Sequence, residues 1–354
     1  MTVGFVIQVS VVLVMPPILP LVRRLARFRS MGLIVLCWVS ISASANPNLS
    51  QVLDDAQALG PLETVIVSHD GQVMAERGYR GHRTTTPTNI KSASKLVVSA
   101  LIGIAIDKGI LKGTDQTIAP LLSEDLPAKP DPRLKDITIG NLMSMQAGLA
   151  STSGPNYGAW VASRNWVKAA LARPFENDPG GPMIYSTGST HLLSAILTRQ
   201  TGRSTLQLAQ LWLKPLDGFA ITSWSRDPQG VYIGGNEMAM SPRSLLAFGE
   251  LYRRKGVTQD GRRLISSRWV EESWQVRTYS RYTGDGYGYG WFVARIANQE
   301  VYYGWGFGGQ MLYIVPRQKL TVVMTSDGSA SAARSGHRDD LHRLLGSIIE
   351  IYAQ

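Results

Sequence analysis

Asn89-Ile90-Lys91-Ser92-Ala93-Ser94-Lys95 runs directly into Leu96-Val97-Val98-Ser99-Ala100-Leu101-Ile102-Gly103-Ile104-Ala105-Ile106. Only Ser99 and Gly103 interrupt the apolar run from Leu96 to Ile106, so as a helix it is hydrophobic all round and belongs in the middle of a domain. Yet Lys95 stands at its first turn, and Ser92 lies three residues earlier on the same face. Burying an ammonium is costly, and the usual response is a lowered pKa that makes the amine a base. The hydroxyl would sit at the helix N-terminus, where free N–H groups and the dipole favour developing negative charge. On spacing alone, an N-cap serine followed by a snorkelling lysine fits as well. The scarcity of polar surface around Lys95 favours a nucleophile and its base.

Working outward, Thr64–His69 and Gln72–Glu76 flank Asp70-Gly71, a preferred tight-turn pair, and read as a β-hairpin. A polar linker over 80–88 delivers the chain to Ser92. Gly109 and Gly113 stop the buried helix, and the Pro-rich stretch 120–132 reads as surface loop. Residues 136–148 read as a short helix with Thr138 as N-cap and Gly148 as its stop. Helices are expected over 189–201 and 242–255, and a last amphipathic one over about 338–352. Strands return at 287–297, 300–303, 310–315 and 320–326. The economical fold is α+β: one antiparallel sheet from both ends of the chain (about 60–90 and 285–354), flanked by helices, with a helical subdomain inserted over about 110–280.

The 354 residues are 44% hydrophobic and 18% charged, ordinary globular values. The first 45 differ. An apolar stretch, the basic cluster Arg23 to Arg29, a second apolar run and Ala43-Ser44-Ala45 read as a secretory signal cleaved after Ala45, with a retained membrane anchor as the rival. Residues 46–354 would then be one periplasmic or secreted domain, touching a membrane only through an uncleaved leader. The single cysteine, Cys37, lies inside that leader, so the processed chain has no thiol chemistry. Four arginines and no acids in the leader take the net charge from +10 to about +6, which is weak evidence for nucleic-acid binding in a secreted protein. The five histidines are scattered without ligand spacing, and no nucleotide-binding glycine pattern occurs. Neither metal nor cofactor is expected.

Two further stretches carry possible chemistry. In Tyr185-Ser186-Thr187 the phenol, set near a cationic lysine, would lean toward phenolate and could shuttle a proton. In Gly304-Trp305-Gly306-Phe307-Gly308-Gly309-Gln310, missing side chains let a substrate approach the backbone, and an exposed N–H could complete an oxyanion hole. A strand bulge explains the same glycines. His191 reads as an ordinary helix residue, and no G-x-S-x-G elbow is present.

The order of these three signals resembles the serine β-lactamase and penicillin-binding-protein superfamily, in its class C β-lactamase-related branch. Esterases, D-alanyl-D-alanine carboxypeptidases and 6-aminohexanoate-dimer hydrolases belong to that branch. Ile137 to Leu149 and Gly234 to Leu245 are similar to two further family segments, so the likeness spans about residues 60–350. It implies a β-lactamase/transpeptidase-like fold, with Ser92 the acylated nucleophile, Lys95 its proton acceptor and Tyr185 the tyrosine of the second box. The Ser92 and Phe307 N–H groups would form the oxyanion hole. Thr187, Trp305, Gly306 and, from the aromatic loop 151–166, Tyr157 and Trp160 would contact substrate.

Two departures matter. Thr187 stands where β-lactamases have Asn, and Gly304-Trp305 replaces the basic residue that meets the drug's carboxylate. An unmet carboxylate forgoes a charge-assisted bond of about 1.5–3 kcal/mol. The expectation is therefore a serine hydrolase of a small ester or amide. A D-alanyl-D-alanine carboxypeptidase, a β-lactamase and a catalytically silent relative stand as alternatives, and no nucleic-acid partner is expected.

Overall fold

The computed structural model describes residues 47–353, so the expected leader and Cys37 lie outside the described residues. Among the described residues there are eleven strands: β1 Leu62–His69, β2 Gln72–Gly78, β3 Thr88–Asn89, β4 Ser223–Trp224, β5 Met238–Met240, β6 Thr278–Tyr279, β7 Gly286–Tyr287, β8 Phe292–Ile296, β9 Gln299–Gly306, β10 Gln310–Val315 and β11 Leu320–Ser326. Eight form one antiparallel sheet in the order β2-β1-β11-β10-β9-β8-β7-β6. Strands from the two ends of the chain thus meet at β1 and β11, with Val65 opposite Met324 and Val67 opposite Val322. The expected α+β architecture holds.

Local chemistry explains the hairpins. Asp70 and Gly71 both take positive φ, +48° and +86°, as a two-residue turn between right-twisted strands requires. Pro316 opens the short 3-10 turn Pro316–Gln318 between β10 and β11, where its fixed φ fits. Both of these central strands are buried at every position, because helices cover both faces of the sheet.

Each face has its own core. On one, helices Pro47–Asp55 and His337–Ile351 bury Leu49, Leu53, Leu341, Leu345 and Ile348 against Val65, Val67, Met311 and Val322. On the other lies helix Ser94–Asp107, whose residues from Ser94 to Ala105 are all buried. Leu96, Val97, Leu101 and Ile102 have no exposed surface there, and each such side chain contributes about 1.5–3 kcal/mol of burial. Helix Pro242–Arg253 packs on the sheet so closely that a Cβ on Gly249 would lie 2.5 Å from Leu312 Cδ1 of β10.

Three details differ from the sequence reading. The helix at Thr138 has the full capping box, with Asn141 answering Thr138, but it ends at Met143 rather than near Gly148. The 287–297 strand is broken by a turn at Gly288–Trp291, where Gly290 has φ +88°. Finally, the linker ends in β3, part of a second sheet, β3-β5-β4, inside the helical region. Among the described residues no helix is long and apolar enough to cross a membrane.

Candidate active site

Ser92 does not start the long helix. It sits in a 3-10 turn, Lys91–Ala93, that leads into helix Ser94–Asp107. β3 fastens the entry to this turn, with Asn89 paired to Ala239 and Ile90 N–H donating to the Met238 carbonyl at 2.9 Å. Lys91 then takes φ +51°, a left-handed conformation unusual for a side chain this large, and the chain turns sharply at Ser92.

Lys95 is 2% exposed, and its Nζ lies 3.1 Å from Ser92 Oγ. The same nitrogen donates to the Gly235 carbonyl at 2.8 Å and reaches Thr187 Oγ1 at 3.5 Å. Behind it, a cavity of about 10 Å³ is walled by Met143, Met145 and Leu193, with Ser99 and Thr190 as its only hydroxyls. Burial in these surroundings lowers the Lys95 pKa to about 7. At neutral pH a large share of the amine is therefore unprotonated and able to accept a proton.

Tyr185 completes the group, with Lys95 Nζ 4.9 Å from its ring centre. Its phenol is not drawn toward phenolate as the sequence suggested. Burial pushes it up to about 12, and a hydrogen bond with Ser92 pulls it back only in part. At neutral pH Tyr185 is a proton donor.

The strand wall is β9. A Cβ on Gly304 would lie 2.3 Å from Leu96 Cδ1, and one on Gly306 would lie 2.2 Å from the Ile90 carbonyl oxygen. These glycines let the strand touch the Ser92 turn and the helix that follows it. The pairing of β8 with β9 stops at Phe292 opposite Tyr303, so Gly304 to Gly306 are paired on the β10 side only. Phe307 follows in a turn with its side chain 49% exposed, and Gly308 and Gly309 take φ +87° and +107°. Trp305 alternates with the two glycines and points to the other face of the strand. Its ring lies 6.0 Å from Phe292, under the Arg338 guanidinium.

Thr187 meets Lys95 directly, and Tyr157 is held by Asn236, the residue after Gly235. Thr187 Oγ1 is 3.0 Å from Ser153 Oγ, and the Tyr157 hydroxyl accepts from Asn236 Nδ2 at 3.0 Å. Trp160 meets Tyr157 edge-on, ring centres 5.9 Å apart, but is turned inward. It is 4% exposed, its indole N–H donates to the Trp166 carbonyl at 2.9 Å, and it packs on His191 as a brace beneath the loop. A cavity of about 440 Å³ lies elsewhere, among Glu63, Thr64, His82, Arg83 and Thr325, and none of Ser92, Lys95 and Tyr185 lines it. Among the described residues no group of three or more His, Cys, Asp or Glu side chains could hold a metal ion.

The beta-lactamase family model matches residues 52–347, most of the chain and all of these elements. The chain belongs to the beta-lactamase family. Its fold is similar to a putative 6-aminohexanoate-dimer hydrolase from Bacillus anthracis, with a TM-score of 0.70 at 21% identity, over 87% of this chain and 82% of that one. It is also similar to a putative beta-lactamase from Bacteroides dorei, with a TM-score of 0.70 at 17% identity, covering 86% and 98%. A third likeness is EstCE1, a hydrolase with promiscuous acyltransferase activity, with a TM-score of 0.68 at 17% identity, covering 84% and 97%. Among curated sequences it matches a probable fimbrial assembly protein, FimD of Dichelobacter nodosus, at 29% identity over 174 residues. That match takes in 46% of this chain and 43% of the relative's length.

Within this beta-lactamase family fold, several site residues carried no local signal in sequence. Ser151 Oγ donates to the Tyr185 carbonyl at 2.6 Å, Thr152 Oγ1 accepts the Gly188 N–H at 2.7 Å, and Ser153 Oγ accepts the Thr187 N–H at 2.8 Å. Three consecutive hydroxyls thus lace one loop to the Tyr185 segment. Gly235 carries no such signal either, apart from its place in the Gly234 to Leu245 segment. A Cβ there would lie 2.8 Å from Lys95 Nζ, so only glycine leaves room for the amine.

Proposed function

We propose that the protein is a serine hydrolase that cleaves a small ester or amide through an acyl-Ser92 intermediate, outside the cytoplasm. The observation that carries this is Lys95, buried, lowered to about 7 and 3.1 Å from Ser92 Oγ. Neutral Lys95 takes the Ser92 proton as Oγ bonds to the carbonyl carbon. The oxyanion is held by the N–H groups of Ser92 and Phe307. As the carbonyl-to-leaving-group bond breaks, Tyr185 gives its proton to the leaving group and recovers one from Lys95. Water, deprotonated by Lys95, then attacks the acyl carbon, and the Ser92 oxygen leaves with the proton. Tyr185 is thus the acid partner of Lys95 rather than a second base.

Gly304 argues against a β-lactam substrate. Leu96 fills the space a basic side chain would need there, so a drug's carboxylate has no cation on that strand. The half-paired edge of β9 at Gly304 to Gly306 favours one second reading, a peptide amide bound as an added strand.

A panel of a short p-nitrophenyl ester, a linear aminohexanoate dimer, a D-alanyl-D-alanine peptide and a chromogenic cephalosporin tests this. Turnover of the ester or dimer that disappears in Ser92→Ala supports the proposal. Cephalosporin turnover alone would overturn the substrate class, and no turnover or acylation anywhere would leave a silent relative.

A further inference from the structure

Residues 235–237 touch the site through three consecutive residues. The Gly235 carbonyl accepts Lys95 Nζ, and Asn236 Nδ2 donates to Tyr157. Glu237 serves the third component, the nucleophile's own turn. Its carboxylate accepts Asn89 Nδ2 at 2.7 Å and stands 3.6 Å from Lys91 Nζ. The other end of the Asn89 amide, Oδ1, accepts the Lys91 N–H at 2.9 Å. One side chain therefore bridges the Glu237 carboxylate to the backbone of Lys91, the residue before Ser92.

Both ends of this bridge are in unfavourable backbone conformations. Lys91 has φ +51° and Glu237 has φ +50°. Such residues persist only where their surroundings over-determine them, and they gather at functional sites. The Lys91–Glu237 ion pair is long and partly exposed, so it contributes little by itself. The Asn89–Glu237 bond is short and charge-assisted, and it is the stronger member.

We propose that Glu237 is a positioning residue, a clasp that acts through Asn89 to hold the Lys91 turn and so aims Ser92 at Lys95. The proposal rests on the serine-hydrolase reading above. Glu237 touches no reacting atom, and its effect appears in the rate of acylation rather than in substrate binding.

The test uses Glu237→Ala, Glu237→Gln, and Glu237→Ala combined with Lys91→Gly. For each, fluorophosphonate labelling rate, kcat and KM on a short p-nitrophenyl ester, and the thermal midpoint are measured. Glu237→Ala should lower labelling and kcat about ten- to a hundredfold while KM stays within about twofold. Glu237→Gln keeps an acceptor oxygen for Asn89 and should retain most of the rate. Lys91→Gly should restore most of what Glu237→Ala loses, because glycine takes positive φ without strain. A purely structural role for Glu237 would show no such rescue.

Wild-type rates in Glu237→Ala, or no recovery in a well-folded double variant, would overturn the clasp. If Glu237→Ala does not fold, the double variant decides: folding with normal labelling supports the clasp, and failure of both overturns it. Labelling of wild type that survives Ser92→Ala removes the hydrolase reading and the clasp with it. Ser92-dependent labelling that ignores Glu237 removes the clasp alone.

Discussion

The helix wall of the site, Ser92 to Asp107 with Tyr185 facing it, is made of side chains. Lys95 alone makes contacts with Ser92, Gly235 and Thr187. The strand wall opposite, Gly304 to Gly309, offers mainly backbone: glycines pressed on Leu96 and Ile90, and a turn at Phe307. In the proposed reaction the first wall carries the groups that move protons. In the same proposal the second holds an oxyanion or an extended chain, and none of its own residues is a cation that could select a carboxylate. The proposal thereby assigns chemistry and selectivity to different walls, and each can be broken without the other.

Breaking the helix wall has the largest effect. Lys95→Met should cut kcat by about 10⁴-fold or more, in line with removal of a nucleophile's partner base. It should not unfold the protein. The Lys95 pKa falls from an ordinary 10.5 to about 7 on folding, so between these values the unfolded chain binds a proton that the folded one refuses. Stability therefore drops as pH falls from about 10.5 to about 7, and the full penalty persists below. Lys95→Met removes this penalty and should stabilise by about 1–4 kcal/mol at pH 7, with the gain fading toward pH 10. Thermal melts across pH check both statements.

The strand wall gives smaller effects with a distinctive pattern. Phe307→Pro deletes the backbone N–H and should cost about 10²–10³ in kcat. Phe307→Ala keeps that N–H, so kcat should hold while KM shifts by less than about tenfold. Equal losses in the two variants would remove Phe307 N–H from the oxyanion hole. Gly304→Ala is primarily a stability change. Its Cβ meets Leu96, and overpacking of this kind costs about 1–3 kcal/mol. Leu96→Ala in the same chain should recover part of that loss, read by denaturant midpoint.

The two walls were unequally legible in sequence. Ser92-x-x-Lys95 and its apolar helix form one contiguous stretch, so their proximity and the burial of Lys95 were readable from local pattern. The hairpin at Asp70-Gly71 and the cap at Thr138 were legible for the same reason. What was hidden depends on contacts between distant segments. The Gly235 carbonyl that receives Lys95 is 140 residues away, and Ser153 lies 34 residues from Thr187. Trp160 looked like a loop aromatic and is a buried brace, because composition does not say which face of a short helix turns inward. The Tyr185 pKa went the opposite way from expectation: a nearby lysine suggested phenolate, but burial outweighs it and has already lowered the lysine's own charge. Short β3 and β5 carry too few residues for a strand period to appear, yet they set the angle at which Ser92 is presented.

The most direct measurement of the central claim is the rate at which a fluorophosphonate modifies the intact protein, followed by mass across pH, with the modified residue located by peptide mapping. Only unprotonated Lys95 can take the Ser92 proton, so the rate should rise with pH through a midpoint near 7 and then stay level, since Tyr185 keeps its proton up to about 12. All of the added mass should sit on Ser92. A rate that is flat through neutral pH, or an adduct on any other residue, would contradict the account.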